Sequence, residues 1–206
     1  MYIPENIVQY EPAWWEARLG IPTASAFNKI ITATGKPSDQ AQKYMYQLAT
    51  EQVTGVYAGN DYQNKAMERG HEMETHARTL FEMAQGVEVK QVGLCYSDEQ
   101  KKYAMSPDGL LDEAGLEIYC PESPAAVYCL LNPDKAIAHA KKFQQIQGSL
   151  LISEFEKWWF EMYYPGLPPL FLEVRRDEVF IAKLKAELDK FCVDLALTVR
   201  KLKDLG

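Results

Sequence analysis

Two acidic residues stand on either side of one short turn near the middle of the chain. Asp108 lies in Ser106-Pro107-Asp108-Gly109-Leu110, and Glu117 lies in Gly115-Leu116-Glu117-Ile118-Tyr119-Cys120-Pro121. Ser-Pro-Asp-Gly is a turn sequence. Glu117 sits among Leu116, Ile118 and Cys120, so it is one polar position of an otherwise buried strand. A carboxylate there is costly unless a charged group pairs with it. A divalent cation shared with Asp108 meets that need, because Mg²⁺ takes one or two carboxylates and completes its shell with water and phosphate oxygens. Such an ion generates hydroxide near neutral pH and screens a phosphate group. The implied chemistry is phosphodiester hydrolysis. Glu74, on a helix ahead of the turn, is placed to complete or orient the shell. Each feature alone has a plainer reading: Ser-Pro-Asp-Gly as a turn, and Glu74 with Arg78 as a surface ion pair four residues apart.

The elements that must position these acids follow from periodicity and punctuation. An extended lead runs to Trp14-Trp15-Glu16-Ala17-Arg18, where the tryptophans fit a hydrophobic staple for the next helix. Thr23-Ala24-Ser25 opens that helix, with Phe27, Ile30 and Ile31 on its apolar face. Thr23 is a natural N-cap. Free N–H groups at such an end also hold anions, and Arg18 is a few residues upstream, so capping and a phosphate site are both open. Ser38 caps a helix through Tyr44, Leu48 and Val53 that stops at Gly55. A long helix over 64–85 ends at Gly86 and packs through Ala66, Ala77, Leu80, Phe81 and Ala84. Residues 87–97 read as a strand, and 116–120 as the next, giving a meander with helices on one flank. Short helices follow at 125–131 and 137–152, the latter carrying Gln144-Gln145-Ile146-Gln147. An aromatic strand at 157–164 pairs with 170–175 as a hairpin. Asp177 caps a final helix with Phe180, Leu184, Leu188, Phe191 and Leu195 at helical spacing.

With 206 residues, 47% hydrophobic and 25% charged, the chain suits a single domain over residues 1–206 with a sizeable core. The four cysteines show no zinc-site spacing and read as buried thiols of a reducing compartment. The start of the chain lacks the pattern of a signal peptide, and no apolar run reaches the length of a membrane span. A cytoplasmic protein is expected. The net charge of −7 argues against nucleic acid only weakly, because carboxylates of a nuclease site coexist with a local basic groove. Lys101-Lys102, Lys141-Lys142 and Arg175-Arg176 are the local basic pairs, and solvated surface is their plain reading.

A series of short matches runs in order along the chain: Arg18-Leu19-Gly20, Thr23-Ala24-Ser25, Gly70…Glu74…Ala77-Arg78…Phe81-Glu82, Ser106 to Leu110, Gly115 to Ile118, Cys120-Pro121 and Gln145-Ile146-Gln147. Together they resemble the phage lambda exonuclease and YqaJ-type viral recombinase family, within the PD-(D/E)xK nucleases, over roughly residues 14–190. The resemblance implies an α/β (mixed α+β) fold with a central mixed β-sheet flanked by helices. It implies a Mg²⁺-dependent exonuclease, with Mn²⁺ as a substitute, that degrades one strand of linear double-stranded DNA in the 5′→3′ direction. A homotrimeric ring and a single-strand annealing protein as partner also come with it. By position, Asp108, Glu117 and the Ile118 carbonyl resemble the metal ligands. Glu74 resembles the helix-borne acid, and Gln147 the site glutamine. Arg18 and Ser25, with Thr23 beside them, resemble the grip on the terminal 5′ phosphate.

The departure is Tyr119. The family pattern has lysine there, and a phenol is neutral at pH 7. A positioned acid–base or cationic group is worth about 10²–10⁴ in rate. Three outcomes are open: a substitution that stalls catalysis, a DNA-end-binding relic, or another lysine, such as Lys141 or Lys142, moving into the site.

Overall fold

Three six-residue strands carry the centre of the molecule: β4 (Ala114–Tyr119), β5 (Lys157–Met162) and β6 (Leu170–Arg175). A computed structural model describes residues 1–58 and 65–205, leaving aside the side chains of 65–72. The short β3 (Gly109–Leu110) pairs antiparallel with β4. β4 runs parallel to β5, and β5 antiparallel to β6, so the sheet order is β3-β4-β5-β6. The expected mixed sheet and the 157–175 hairpin are present. The expected meander is not. A parallel β4–β5 pair requires a crossover, and it passes through α4 (Ser123–Leu131), α5 (Ala136–His139) and α6 (Phe143–Ser153).

Helices cover both faces of the sheet rather than one. On one side Trp158, Phe160 and Met162 of β5 pack with Ile146 and Leu150 of α6 and with Leu184 and Leu188 of α7 (Glu178–Lys203). On the other, Leu116 and Ile118 of β4 meet Ala77 and Phe81 of α3 (Lys65–Gln85). Alternation along β4 explains the division: Leu116 and Ile118 point to α3, and Glu117 points to the α6 side. Gly115 is required by the same packing. A β-carbon there would lie 2.1 Å from the Trp158 indole.

Several boundaries depart from the expectations, each for a local reason. The tryptophans lie inside a helix, α1 (Pro12–Arg18), too short to show a period, with proline in its first turn. The expected helix after Thr23 is a 3-10 stretch, Ala24–Lys29. α2 (Ala41–Thr54) begins after Gln40, not at Ser38, and ends as expected at Gly55, φ +70°. Of the 87–97 strand only β1 (Cys95–Tyr96) forms, against β2 (Ala104–Met105). The N-terminal lead takes the rest of that edge: a β-carbon on Gly93 would meet the Ile7 carbonyl at 2.2 Å. The helix expected over 137–152 breaks at Lys141, which adopts φ +57°. α3 ends at Gly86 as expected, while Asn64 and the packing of Ala66 lie outside the described residues. Asp177 caps α7, its carboxylate accepting from the Phe180 N–H at 2.9 Å. Among the described residues no helix is long and apolar enough to cross a membrane.

Among the described residues, β5 carries two side chains with buried polar atoms that lack a hydrogen-bond partner, the Trp158 indole and the Glu161 carboxyl. Glu161, on β5 beside Ile118, is fully buried, and neither carboxyl oxygen has a donor or acceptor in reach. Burial raises its pKa from 4.5 to about 8, against a lowering influence from Arg78. The neutral acid is therefore the folded form. Its contribution to stability is full below pH 4.5 and is lost as pH rises through about 8. The slope approaches ~1.4 kcal/mol per pH unit for one proton. Glu161→Gln keeps the shape and removes the proton, so urea denaturation at pH 5 and pH 8 will show a smaller stability difference for the variant than for the wild type.

Candidate active site

The Asp108 turn is held to β4 by its own backbone. The Asp108 N–H donates to the Leu116 carbonyl at 3.1 Å, and Arg78 Nε of α3 donates to the Asp108 carbonyl at 3.0 Å. Asp108 Oδ2 accepts from the Ile118 N–H at 2.6 Å. The side chain thus reaches back across the strand that carries Glu117, and sequence neighbours on a turn become spatial neighbours. Burial first, then the charges of Glu117 and Glu74, push the Asp108 carboxyl well above the usual carboxylate range; Lys142 and the Ile118 N–H oppose the rise. Three acids therefore crowd one region, as expected for Asp108, Glu117 and Glu74.

Glu117 is 2% exposed. Its Oε1 accepts from Lys142 Nζ at 2.6 Å and from Gln145 Nε2 at 2.8 Å, and its Oε2 accepts from Gln145 Nε2 at 2.7 Å. Lys142 Nζ also donates to Gln145 Oε1 at 3.1 Å. Burial alone would lower the Lys142 pKa, but Glu117, Asp108 and Glu74 outweigh it and hold the ammonium above its ordinary value. Lys142 is the N-cap residue of α6, and the left-handed Lys141 just before it turns the chain so that the helix starts over Glu117.

Two sequence expectations change here. Gln147 does not reach Glu117. Its Nε2 donates to the Arg175 carbonyl at 2.9 Å and its Oε1 accepts from the Asp177 N–H at 2.9 Å, which pins the β6–α7 junction. Residues two apart on a helix are about 200° apart in direction, so Gln145 faces the acids and Gln147 faces away. Tyr119 lies on the Glu117 side of β4 but stacks on Phe160, ring centroids 6.1 Å apart. Burial raises its phenol pKa, so it stays neutral. Among the described residues the cation that pairs with Glu117 is Lys142, one of the two lysines named for that position in the sequence reading. The motif Gln145-Ile146-Gln147 and the pair Lys141-Lys142 were visible in the sequence; the direction each side chain takes was not.

A second cluster adjoins the first. Arg18 Nη1 donates to Ser106 Oγ at 2.9 Å and Nη2 to Thr23 Oγ1 at 3.3 Å; Thr23 Oγ1 and Ser25 Oγ are 3.3 Å apart. Arg18 lies over the Trp14 ring at 4.2 Å. Arg18, Thr23 and Ser25 border a cavity of about 180 Å³ shared with Lys29, Tyr44 and Tyr57 and with the buried Glu51, whose carboxylate accepts from the Gly20 N–H at 2.8 Å and from Gln47 Nε2 at 3.2 Å. The free helix N–H groups expected at Thr23 are not the feature that serves an anion here. The 3-10 stretch is six residues long, and the Thr23 N–H already donates to the Tyr44 hydroxyl at 3.4 Å. The cavity's positive side chains and hydroxyls are what an anion would meet.

Among the described residues no three His, Cys, Asp or Glu side chains gather closely enough to hold a metal by themselves. Mg²⁺ does not need them, since one or two carboxylates suffice when water and substrate oxygens complete the shell. Burial, and after it the charges of Glu117 and Glu74, raises Asp108, and a cation between the acids would offset that second cause. Asp108 and Glu117, with the Ile118 carbonyl, have the hard oxygen donors that it takes.

A mixed sheet presenting acids, a lysine and a glutamine beside the Arg18 cavity is the architecture of a nuclease fold. The chain belongs to the YqaJ-like viral recombinase domain family, whose model matches residues 13–156. It is similar in structure to an alkaline exonuclease, LHK-Exo, from Laribacter hongkongensis, with 28% identity, a TM-score of 0.82, and 94% of this chain and 97% of that one covered. A structure of LHK-Exo in complex with dAMP matches equally, with the same identity, TM-score and coverage. A phage-related exonuclease from Haemophilus somnus 129PT shares the fold at 15% identity, a TM-score of 0.68, and 90% and 96% coverage. No curated protein matches the chain.

Removing the Lys142 ammonium leaves Glu117 buried with only an amide. Breaking a buried pair in this way costs about 3–5 kcal/mol. Lys142→Met is therefore expected to lower the urea midpoint in the presence of a chelator. Added Mg²⁺ should recover more stability in the variant than in the wild type, because the ion replaces the missing charge.

Proposed function

We propose that the protein is a Mg²⁺-dependent exonuclease that shortens one strand of linear duplex DNA in the 5′→3′ direction from a 5′-phosphorylated end, in phage-type homologous recombination. The observation that supports this reading best is the hydrogen bond from Arg18 to Ser106. It ties the Arg18 cavity to the turn that carries Asp108. Two residues of extended chain span about 7 Å, the scale of neighbouring phosphates along one strand. A strand end anchored in the cavity would thus present its next phosphate to the acids, which suits an enzyme that works from ends. Family membership and the similarity to an alkaline exonuclease point the same way.

In this reading Arg18, Thr23 and Ser25 hold the terminal 5′ phosphate. Asp108, Glu117 and the Ile118 carbonyl hold the metal, and Glu74 orients its water shell. A Mg²⁺ or Mn²⁺ ion held by these residues would supply Lewis-acid chemistry, lowering the pKa of a water and screening the scissile phosphate. Lys142 adds the positive charge that offsets charge developing on phosphorus, in place of the lysine that Tyr119 lacks. Gln145 keeps both Glu117 oxygens oriented. Product similar to a mononucleotide fits the dAMP complex of the structural neighbour. The family resemblance further supports a homotrimeric ring around the duplex, a single-strand annealing partner and a cytoplasmic location. A sizing measurement separates trimer from monomer.

Tyr119 favours a second reading: a non-catalytic DNA-end-binding recombination protein on the same fold. Digestion of linear duplex in Mg²⁺ separates the two. The exonuclease reading expects a 5′-phosphorylated duplex to be shortened faster than its 5′-hydroxyl counterpart, with closed circular DNA untouched. Arg18→Ala should erase the preference for phosphate. Lys142→Met should lower kcat/KM by about 10²–10⁴, and Tyr119→Lys in that background should restore part of the loss. A wild-type protein that binds ends in Ca²⁺ yet never cleaves in Mg²⁺ or Mn²⁺ leaves only the second reading standing.

A further inference from the structure

Tyr10 is held in a backbone conformation that its side chain disfavours. Its φ is +69°, in the left-handed region. For a bulky residue this conformation is an outlier that persists only when the surroundings over-determine it. The surroundings here are specific. Gln9 Nε2 donates to the Val92 carbonyl at 3.0 Å and to the Pro107 carbonyl at 2.8 Å. The residue before Tyr10 is thereby fastened to the turn that carries Asp108. Trp14, which meets the Tyr10 ring, is fastened as well: its Nε1 is 2.8 Å from the Gly93 carbonyl and 3.0 Å from Ser106 Oγ.

The fixed backbone aims an aromatic ring at the space between the two clusters. The Tyr10 ring lies 5.2 Å from Trp14, tilted by 44°. Trp14 meets Trp15 edge-on at 4.5 Å, and Trp15 lies 5.1 Å from Tyr57, which borders the Arg18 cavity. Four rings are thus joined by successive contacts, from Tyr10 through Trp14, which bonds Ser106 beside the Asp108 turn, to Tyr57 at the Arg18 cavity. Trp14 is buried at 5% exposure, whereas Tyr10 is 37% exposed and presents ring surface outward. At its other end the phenol is enclosed: burial first, then Glu74 and Asp108, push its pKa up, and Arg18 opposes them. One side chain thus feels the candidate metal acids and the candidate phosphate grip together.

We propose that Tyr10 is a substrate-binding residue whose ring is the stacking platform for the terminal nucleoside of the bound DNA strand, between the Arg18 cavity and the Asp108–Glu117 acids. The proposal rests on the DNA-end reading above and adds to it a contact for the part of the nucleotide that neither cluster holds. A strand gripped by its terminal phosphate and presented to the acids by its next phosphate leaves its first nucleoside to be held by something. A π-face suits that task, because every base has one and digestion must proceed through any sequence. The strained backbone is then the means by which the ring is set in place before DNA arrives.

The test uses the whole chain and a linear duplex whose 5′-phosphorylated terminal nucleotide is 2-aminopurine, in Ca²⁺ so that turnover does not intervene. Wild type and Tyr10→Phe are expected to quench the fluorescence of the terminal base on binding. Tyr10→Gly relieves the left-handed strain and so keeps its melting temperature. It is expected to leave the base unquenched and to bind the end about 5- to 100-fold more weakly. Tyr10→Leu, which still covers Trp14 but has no ring, is a second variant with the same expected loss of quenching. In a companion titration an abasic terminal nucleotide should weaken wild-type binding by a similar factor and leave Tyr10→Gly indifferent. Quenching by Tyr10→Gly and Tyr10→Leu equal to wild type overturns the proposal and leaves the DNA-end reading intact. So does unchanged sensitivity of those variants to the abasic end. Failure of the wild type to bind any duplex end overturns both.

Discussion

The burial of the Glu117 carboxylate in a strand of the central sheet is the constraint on which the surrounding structure turns. An unpaired charge at that depth would be costly, and the fold answers with Lys142 and Gln145, both from the start of α6. Their arrival requires α6 to begin above β4. That in turn requires the chain to break its helix at Lys141 and accept a left-handed lysine, a conformation that costs about 1–2 kcal/mol. The Trp158 indole lies beside the same stretch of β4, and Gly115 is the residue that leaves room for it. Asp108 adds a second carboxyl to the same region, and its burial, with the charges of Glu117 and Glu74, keeps that acid protonated more readily than usual.

The N-terminal segment does for the anion cavity what α6 does for Glu117. Gln9, Trp14 and Arg18 all bond to the 92–107 stretch, which ends in the Asp108 turn. No long strand or helix makes these links. They are side-chain hydrogen bonds to loop carbonyls and to one serine hydroxyl. Ser106 is the shared point, accepting from both Trp14 Nε1 and Arg18 Nη1. A displacement at either cluster is therefore felt at the other, and the spacing between them is set by a few short, well-defined contacts.

The sequence made the acids legible because their signals are local. A turn sequence ahead of an apolar strand with one carboxylate requires no knowledge of the rest of the chain, whereas Glu74, which spacing alone reads as a partner of Arg78, was singled out by the family resemblance. Gln147 shows the limit of that reasoning. Gln145 and Gln147 are chemically identical and two residues apart, so only the helix's rotation about its axis decides which one meets Glu117. That rotation is fixed by Ile146 and Leu150 packing under the sheet. The lysine is a similar case. Tyr119 occupies the strand position and spends its ring on Phe160, while the ammonium comes from a residue 25 places away in sequence.

By itself, then, the sequence marked Asp108, Glu117, Glu74, Arg18, Thr23 and Ser25 as site candidates, and it determined the mixed α/β character, the hairpin after the aromatic strand and the helix caps at Asp177 and Gly55. These follow from backbone stereochemistry and from period, which act over a few residues. Only the tertiary structure decided the parallel β4–β5 pairing, the cover of both sheet faces, the break before α6, and the choice of Lys142 and Gln145 over Tyr119 and Gln147. It also decided that Tyr10 should face the site from a left-handed backbone. The physical reason is common to all of these: each is settled by which distant surfaces bury each other, and a buried charge or a fixed ring is placed by those contacts rather than by its neighbours in the chain.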